Sequence, residues 1–188
     1  MGALDDGERI TAADAAIWRS WLEQNHERPA GVWLLSVRGT ATGVGYDDAV
    51  RQALCFGWID GPVRTFDDTT VGQWFSPRRP GSGWAATNKA RIAELEAAGL
   101  LAPAGIRALE VAKANGSWEM LDGPEAGIEP AELTAALDAS PAARATWDAF
   151  PRSIRKFALT QIATAKRPET RASRIAKIVA DAAEGKRP

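Results

Sequence analysis

A single cysteine, Cys55, and a single histidine, His26, set the outer limits of the chemistry open to this chain of 188 residues. A thiol nucleophile needs an imidazole within hydrogen-bond reach and a third group to orient it. Cys55 stands in Ala53-Leu54-Cys55-Phe56, on the apolar side of a helical pattern, where a free cysteine usually serves as a small buried hydrophobe. One histidine excludes most histidine-based metal centres, and one cysteine excludes an internal disulfide or a cysteine-rich zinc site. A hard-cation site would have to join His26 to Asp60, Asp67 and Asp68, whose spacing follows no known metal loop. Asp67-Asp68 reads instead as turn chemistry. No metal and no cofactor is expected.

Asp60 is the more promising group. It follows the apolar pair Trp58-Ile59 and precedes Gly61-Pro62. A carboxylate leaving a buried strand needs a cationic or N–H partner, because an unpaired buried charge is expensive. Arg78 and Arg79 can supply it if residues 63–66 and 71–76 pair, since their loop then returns to the strand start. Two outcomes stay open: an ion pair that pins the loop, or a site in which arginine binds an anion between aromatic walls. Trp58 and Trp84 are the walls on offer. Eight tryptophans against one tyrosine and five phenylalanines is unusual, and most must be core, since each buries ~150–250 Å². The run Trp74-Phe75-Ser76-Pro77-Arg78-Arg79 interleaves aromatics with arginine, but the net charge of −1 and the lack of any nucleic-acid motif argue against a nucleic-acid partner. Gly39, Gly43 and Gly45 do not have the spacing of a phosphate loop.

The elements that must position these groups follow from pattern and punctuation. Thr11-Ala12-Ala13-Asp14 resembles a capping box ahead of the stripe Trp18, Trp21, Leu22. Residues 32–37 read as a buried strand and residues 46–56 as a helix closed by Gly57. Two β-rich runs around Asp67-Asp68-Thr69-Thr70 suggest a hairpin. Ser82 is expected to cap a helix with Trp84, Ile92 and Leu95 along one side, and Pro103 to open one carrying Ile106, Leu109 and Ala112. Residues 122–130, with two prolines and two glycines, read as a linker. Beyond it lie helical stripes at Ile154, Phe157, Ala158, Ile162 and Ala165, and at Ala172, Ile175, Ala176, Val179 and Ala183. The fold class is therefore α+β: a small antiparallel sheet packed by helices over residues 1–126, then a helical region over 127–188.

Composition bounds the rest. Hydrophobic residues are 45% and charged residues 25% of the chain, ordinary for a globular protein. No apolar run approaches the ~20 residues of a membrane span, and the acidic first residues do not resemble an export signal. Charge is unevenly placed. Residues 141–188 hold 11 basic and 4 acidic side chains, leaving +7 there and −8 in the remainder. Arg167, Arg171 and Arg174, with Lys177 nearby, project opposite the last apolar stripe. They either dock on acidic parts of the chain or meet an acidic partner. The sequence does not set the oligomeric state.

At Tyr46-Asp47-Asp48-Ala49-Val50 and Ala53-Leu54-Cys55-Phe56-Gly57-Trp58-Ile59-Asp60-Gly61 the chain resembles the YdeI/OmpD-associated, or bacteriocin-protection, family. Phe75-Ser76-Pro77-Arg78-Arg79, Ser82, Trp84, Asn88, Trp118 and Ala165-Lys166-Arg167-Pro168-Glu169-Thr170-Arg171 extend the resemblance from about Trp21 to Gly185. The sequence departs from the family pattern at Trp74, where a basic residue is more usual, and at Met120-Leu121. The resemblance implies a bacterial, cytoplasmic protein of stress or antimicrobial-peptide resistance with no established reaction, and it adds Asn88 to the candidate ligand group. The leading expectation is binding without turnover. An enzyme acting on a small anionic substrate and an iron- or other metal-binding protein are the alternatives.

Overall fold

The computed structural model describes Leu4, residues 6–39 and residues 43–188, so part of the loop expected over 38–43 lies outside the described residues. The chain divides into two compact units. One holds the chain up to Ser82 together with Thr87–Asn115, and the other holds Gly83–Ala86 with Gly116–Pro188.

The first unit is α+β. Its strands are β1 (Glu8–Thr11), β2 (Val32–Val37), β3 (Trp58–Thr65) and β4 (Thr70–Pro77), in sheet order β1-β2-β4-β3. Three of them form the expected antiparallel set, and β1 adds to β2 in parallel, so the sheet is mixed. Helices α1 (Ala15–Asn25) and α2 (Tyr46–Cys55) cover one face. Trp18, wholly buried, packs on Phe75 at 5.3 Å between centroids and donates from Nε1 to the Ala49 carbonyl at 3.0 Å. Trp21 meets Trp58 edge-on at 5.8 Å. The helix start differs from the Thr11 expectation. Asp14 is the N-cap, accepting from the Ile17 N–H at 2.9 Å, and Thr11 closes β1. The β3–β4 hairpin closes on Asp67, whose Oδ1 accepts from the Thr69 and Thr70 N–H groups at 2.9 and 2.8 Å; those bonds hold its carboxyl down at about 2.

Two helices complete this unit. The first, α3 (Ala86–Ala97), starts four residues beyond Ser82, so neither Ser82 nor Trp84 belongs to it. The second, α4 (Pro103–Ala114), buries Leu109 and Ala112 but leaves Ile106 44% exposed. It lies directly on α2: a Cβ at Gly105 would come within 2.3 Å of the Cys55 carbonyl.

The second unit is helical, with α5 (Asp122–Ala126), α6 (Ala131–Asp138), α7 (Pro141–Ala149), α8 (Arg152–Ala163) and α9 (Pro168–Ala183). The segment read as a linker thus contains a short helix, because Pro124 sits in its first turn, where proline costs no hydrogen bond. Leu133, Leu137, Trp147, Leu159, Ile162, Ile175 and Ile178 form the core. Leu159 takes the place expected for Phe157, which is 56% exposed. At one edge Glu129 accepts from Arg144 Nη1 and Nη2 at 2.8 and 2.9 Å and from Trp147 Nε1 at 2.7 Å. Trp84 belongs to this unit, 5.2 Å from Trp118. Among the described residues no helix is long and apolar enough to cross a membrane.

Candidate functional site

Residues alternate between the two faces of β4, and this alternation decides what the sheet can present. Phe75 and Gln73 face α1 and α2, while Trp74, Ser76 and Gly72 face the other way. Trp33 and Trp74 are registered side by side there, 5.1 Å apart, and Trp33 meets Phe66 edge-on at 5.4 Å. Three glycines make the bed for the Trp74 indole. A Cβ on Gly7, Gly31 or Gly61 would lie 2.4, 2.4 or 2.8 Å from its ring atoms.

A cleft of about 1010 Å³ opens at this end of the sheet, lined by Trp74, the segments around Gly7 and Gly31, Ile59, Gly61, Pro62 and the residues 76–80. Its cations are Arg28, Arg78 and Arg79, and its carboxylates are Asp6 and Glu8. Arg28 reaches Glu8 at 2.6 Å and lies over Trp21 at 5.5 Å. The Arg78 backbone N–H donates to the Gly57 carbonyl at 3.0 Å, which carries the β3–β4 pairing one step past Pro77. Burial pushes the Arg78 guanidinium down to about 10, against the charge of Asp60, which favours the cation; it remains protonated at neutral pH. The Arg79 side chain is exposed and makes no ion pair or hydrogen bond among the described residues.

The group proposed from sequence is therefore divided. Arg78 and Arg79 line the cleft. Asp60 does not: it is registered opposite Phe75 on the helix-covered face and accepts from Tyr46 Oη at 2.8 Å. Its link to Arg78 is the attraction of neighbouring charges. Trp58 is 1% exposed, packs against α1 and donates from Nε1 to the His26 carbonyl at 3.0 Å, so it is core and not a wall. Trp84 falls in the other unit. Asn88 accepts from Arg91 Nη1 at 2.8 Å, supporting the arginine that also holds Asp47. Arg28 escaped the sequence reading, and Trp74 stood in it only as one of several tryptophans flanking the sheet. The alternation of β4 puts Trp74 and Ser76 on one side of the strand, the signal that could have singled Trp74 out.

The remaining chemistry is quiet. Cys55 is wholly buried and burial pushes its thiol up, away from the thiolate that attacks. The His26 ring packs on Phe56 at 5.5 Å, with Nδ1 3.1 Å from the Leu22 carbonyl. Among the described residues no three His, Cys, Asp or Glu side chains converge to hold a metal.

The basic end departs from the projected surface. Ile175, Ile178 and Ala182 form the inner face of α9, and Arg171 and Arg174 flank it. Arg171 donates to the Ile162 carbonyl and to Glu132, both at 3.4 Å, and Arg174 donates to the Gln161 carbonyl. Lys177 pairs with Asp181 at 2.7 Å, and Arg167 is exposed ahead of the helix. The cationic face is thus divided: Arg171 and Arg174 end on the last carbonyls of α8, while Arg167 and Lys177 stay exposed.

Residues 10–108, just over half of the chain, match the model of a domain of unknown function, DUF8412. The chain belongs to that family. Residues 127–185 match the model described as bacteriocin-protection, YdeI or OmpD-associated, so the chain also carries a YdeI/OmpD-associated segment. The resemblance traced from Trp21 onward is narrower as a match: the Tyr46–Gly61 motif and the cleft arginines fall in the DUF8412 part. No curated protein and no solved structure matches the chain.

Proposed function

We propose that the DUF8412 part is a binding module for a small anionic ligand, held in the cleft beside Trp74 by Arg78 and Arg79. The observation that carries this reading is the placement of a desolvated guanidinium and an exposed one on the lining of one large cleft. Hydrogen bonds from guanidinium to carboxylate or phosphate are charge-assisted and can be bidentate. Arg28 is matched by Glu8, and Arg78 and Arg79 are the further cations of the lining. Among the described residues the lining has no histidine, cysteine, lysine or tyrosine, which favours binding over turnover.

The protein acts, on this reading, in the cytoplasm as a component of stress or antimicrobial-peptide protection, following the label of its C-terminal family match. Direct capture of a cationic peptide fits poorly with a guanidinium-lined cleft. Recognition of an anionic metabolite fits better.

A thermal-shift panel of phosphate, di- and tricarboxylates, nucleoside monophosphates and divalent metals tests the proposal, since a ligand selective for the native state raises the midpoint. At least one anion should raise it, and Arg79→Ala should weaken that anion by about tenfold without lowering the unliganded midpoint. A panel in which no anion acts overturns the proposal, and a response confined to metals favours the metal-binding alternative.

A further inference from the structure

The opposite face of the same strand borders a second cavity, which the anion cleft does not use. It lies between α2 and the sheet and measures about 250 Å³. Its walls are Leu34, Val44, Ala49, Val63 and Val71, all aliphatic, with Tyr46 and Gln73 as its principal polar members. No charged side chain lines it among the described residues. Tyr46, at the first position of α2, is 55% exposed, yet it does not swing free: its hydroxyl donates to Asp60 across on β3 at 2.8 Å. That bond ties the phenol ring beside the pocket, and it gives Asp60 a task that the cleft does not.

The polar inventory selects the ligand. Gln73 Nε2 donates to the Gly61 carbonyl at 2.7 Å and lies 3.5 Å from that of Trp74, which fixes the amide orientation and leaves Oε1 to accept. Tyr46 Oη spends its proton on Asp60 and keeps lone pairs to accept. Both groups can therefore receive a hydrogen bond. A net charge is unwelcome: aliphatic walls do not repay the desolvation of an ion, and the Asp60 carboxylate beside Tyr46 repels an anion. Size sets the body, since cavities of about 150 Å³ with aliphatic and aromatic linings hold one benzene ring. We propose that this pocket binds a small uncharged hydroxyl compound, one six-membered ring bearing an OH, such as a phenol or a cyclic alcohol. The site is independent of the anion cleft, because Val71 and Gln73 face α2 whereas Trp74 and Ser76 face away.

The test is a titration of the full-length, ¹⁵N-labelled protein with phenol, followed by amide shifts. Saturable shifts confined to residues 34–36, 44–49, 63 and 71–73 are expected. Benzoate should bind about tenfold more weakly, for the desolvation reason above. Val63→Trp places an indole at the pocket wall on a position already 64% exposed, so the fold should tolerate it; phenol affinity should fall by at least about tenfold. Tyr46→Phe should reduce, and Tyr46→Phe with Gln73→Leu erase, the preference for phenol over toluene. Shifts that are non-saturable or scattered, or a Val63→Trp protein that binds phenol unchanged, overturn the proposal. Should Val63→Trp fail to fold, the wild-type shift map and the phenol-to-benzoate ratio still decide it.

Discussion

The two units both hold ion-paired arginines, and the first adds a second use of the guanidinium. In the first unit guanidinium groups lie over aromatic rings: Arg9 and Arg64 over Phe66 at 4.3 and 5.3 Å, Arg19 over Phe56 at 5.1 Å and Arg28 over Trp21 at 5.5 Å. In the second they end on carboxylates and carbonyls, as Arg19, Arg28, Arg51 and Arg91 of the first unit also do. Arg144 goes to Glu129 and Asp148, Arg152 to the Glu125 carbonyl, and Arg171 and Arg174 to the last turn of α8. A cation stacked on a ring can still direct its N–H groups to an acceptor, as Arg28 does to Glu8 and Arg19 to the Leu100 carbonyl. A cation spent on the orphan carbonyls of a helix end acts as a cap and favours the negative end of the helix dipole. The excess of +7 over residues 141–188 is offset within the second unit by six further carboxylates, leaving +1 there against −2 in the first, so net charge does not separate the two units. Number of charges and availability of charges are separate quantities.

The comparison can be broken or sharpened experimentally. The largest effect is expected at the core of the helical unit. Trp147→Ala removes a wholly buried indole and its bond to Glu129, and should cost about 3–5 kcal/mol in urea unfolding. Loss of less than 1 kcal/mol would mean that this unit is not organised around that residue. Next is Gly31→Ala in the sheet unit. Its Cβ would meet Phe75 O at 2.5 Å as well as Trp74, and backbone cannot yield as a side chain can. A loss of about 1–3 kcal/mol is expected, together with altered anion binding in the cleft.

The sharpest discriminator is Arg171→Glu with Arg174→Glu. If these arginines serve as caps, the melting midpoint falls by an amount equivalent to about 1–3 kcal/mol, with no partner present. If they form a recognition surface, the midpoint stays and only binding to an acidic partner is lost. The smallest effect concerns pH. Arg144 above all, then Trp147, holds the Glu129 carboxyl below its ordinary 4.5, against desolvation. A carboxyl depressed in the folded state contributes stability that is present above 4.5 and lost as pH falls through its folded value. Glu129→Gln should therefore lower stability at pH 7 and flatten its decline in acid, read from midpoints at several pH values. An unchanged slope would remove Glu129 from the acid response.

Much of the local structure was legible. β2 spans the residues read as a buried strand, because a short, mostly apolar run after Gly31 has few other uses. α2 and its stop at Gly57, with φ 74°, follow from acidic residues in the first turn and a left-handed end that glycine adopts freely. β1 was not legible. Glu8-Arg9-Ile10-Thr11 has one apolar residue, and it becomes a strand through parallel pairing with β2, more than twenty positions away. The inner face of α9 was misplaced because alanines weigh as apolar in a projection, although arginine stems pack as well and reach further.

The sequence by itself determined the α+β class, the helical C-terminal region, the burial of Cys55 on an apolar helix face and the arginine pair that follows β4. These depend on neighbours within a few residues, where periodicity and capping act directly. Tertiary structure alone decided that Asp60 would accept from Tyr46 on the helix-covered face while Arg78 and Arg79 line the cleft. It also decided that Trp74 would lie across three glycines from three separate segments. Both outcomes rest on strand register, in which a shift of one residue moves every side chain to the other face, and register is fixed by the whole sheet at once.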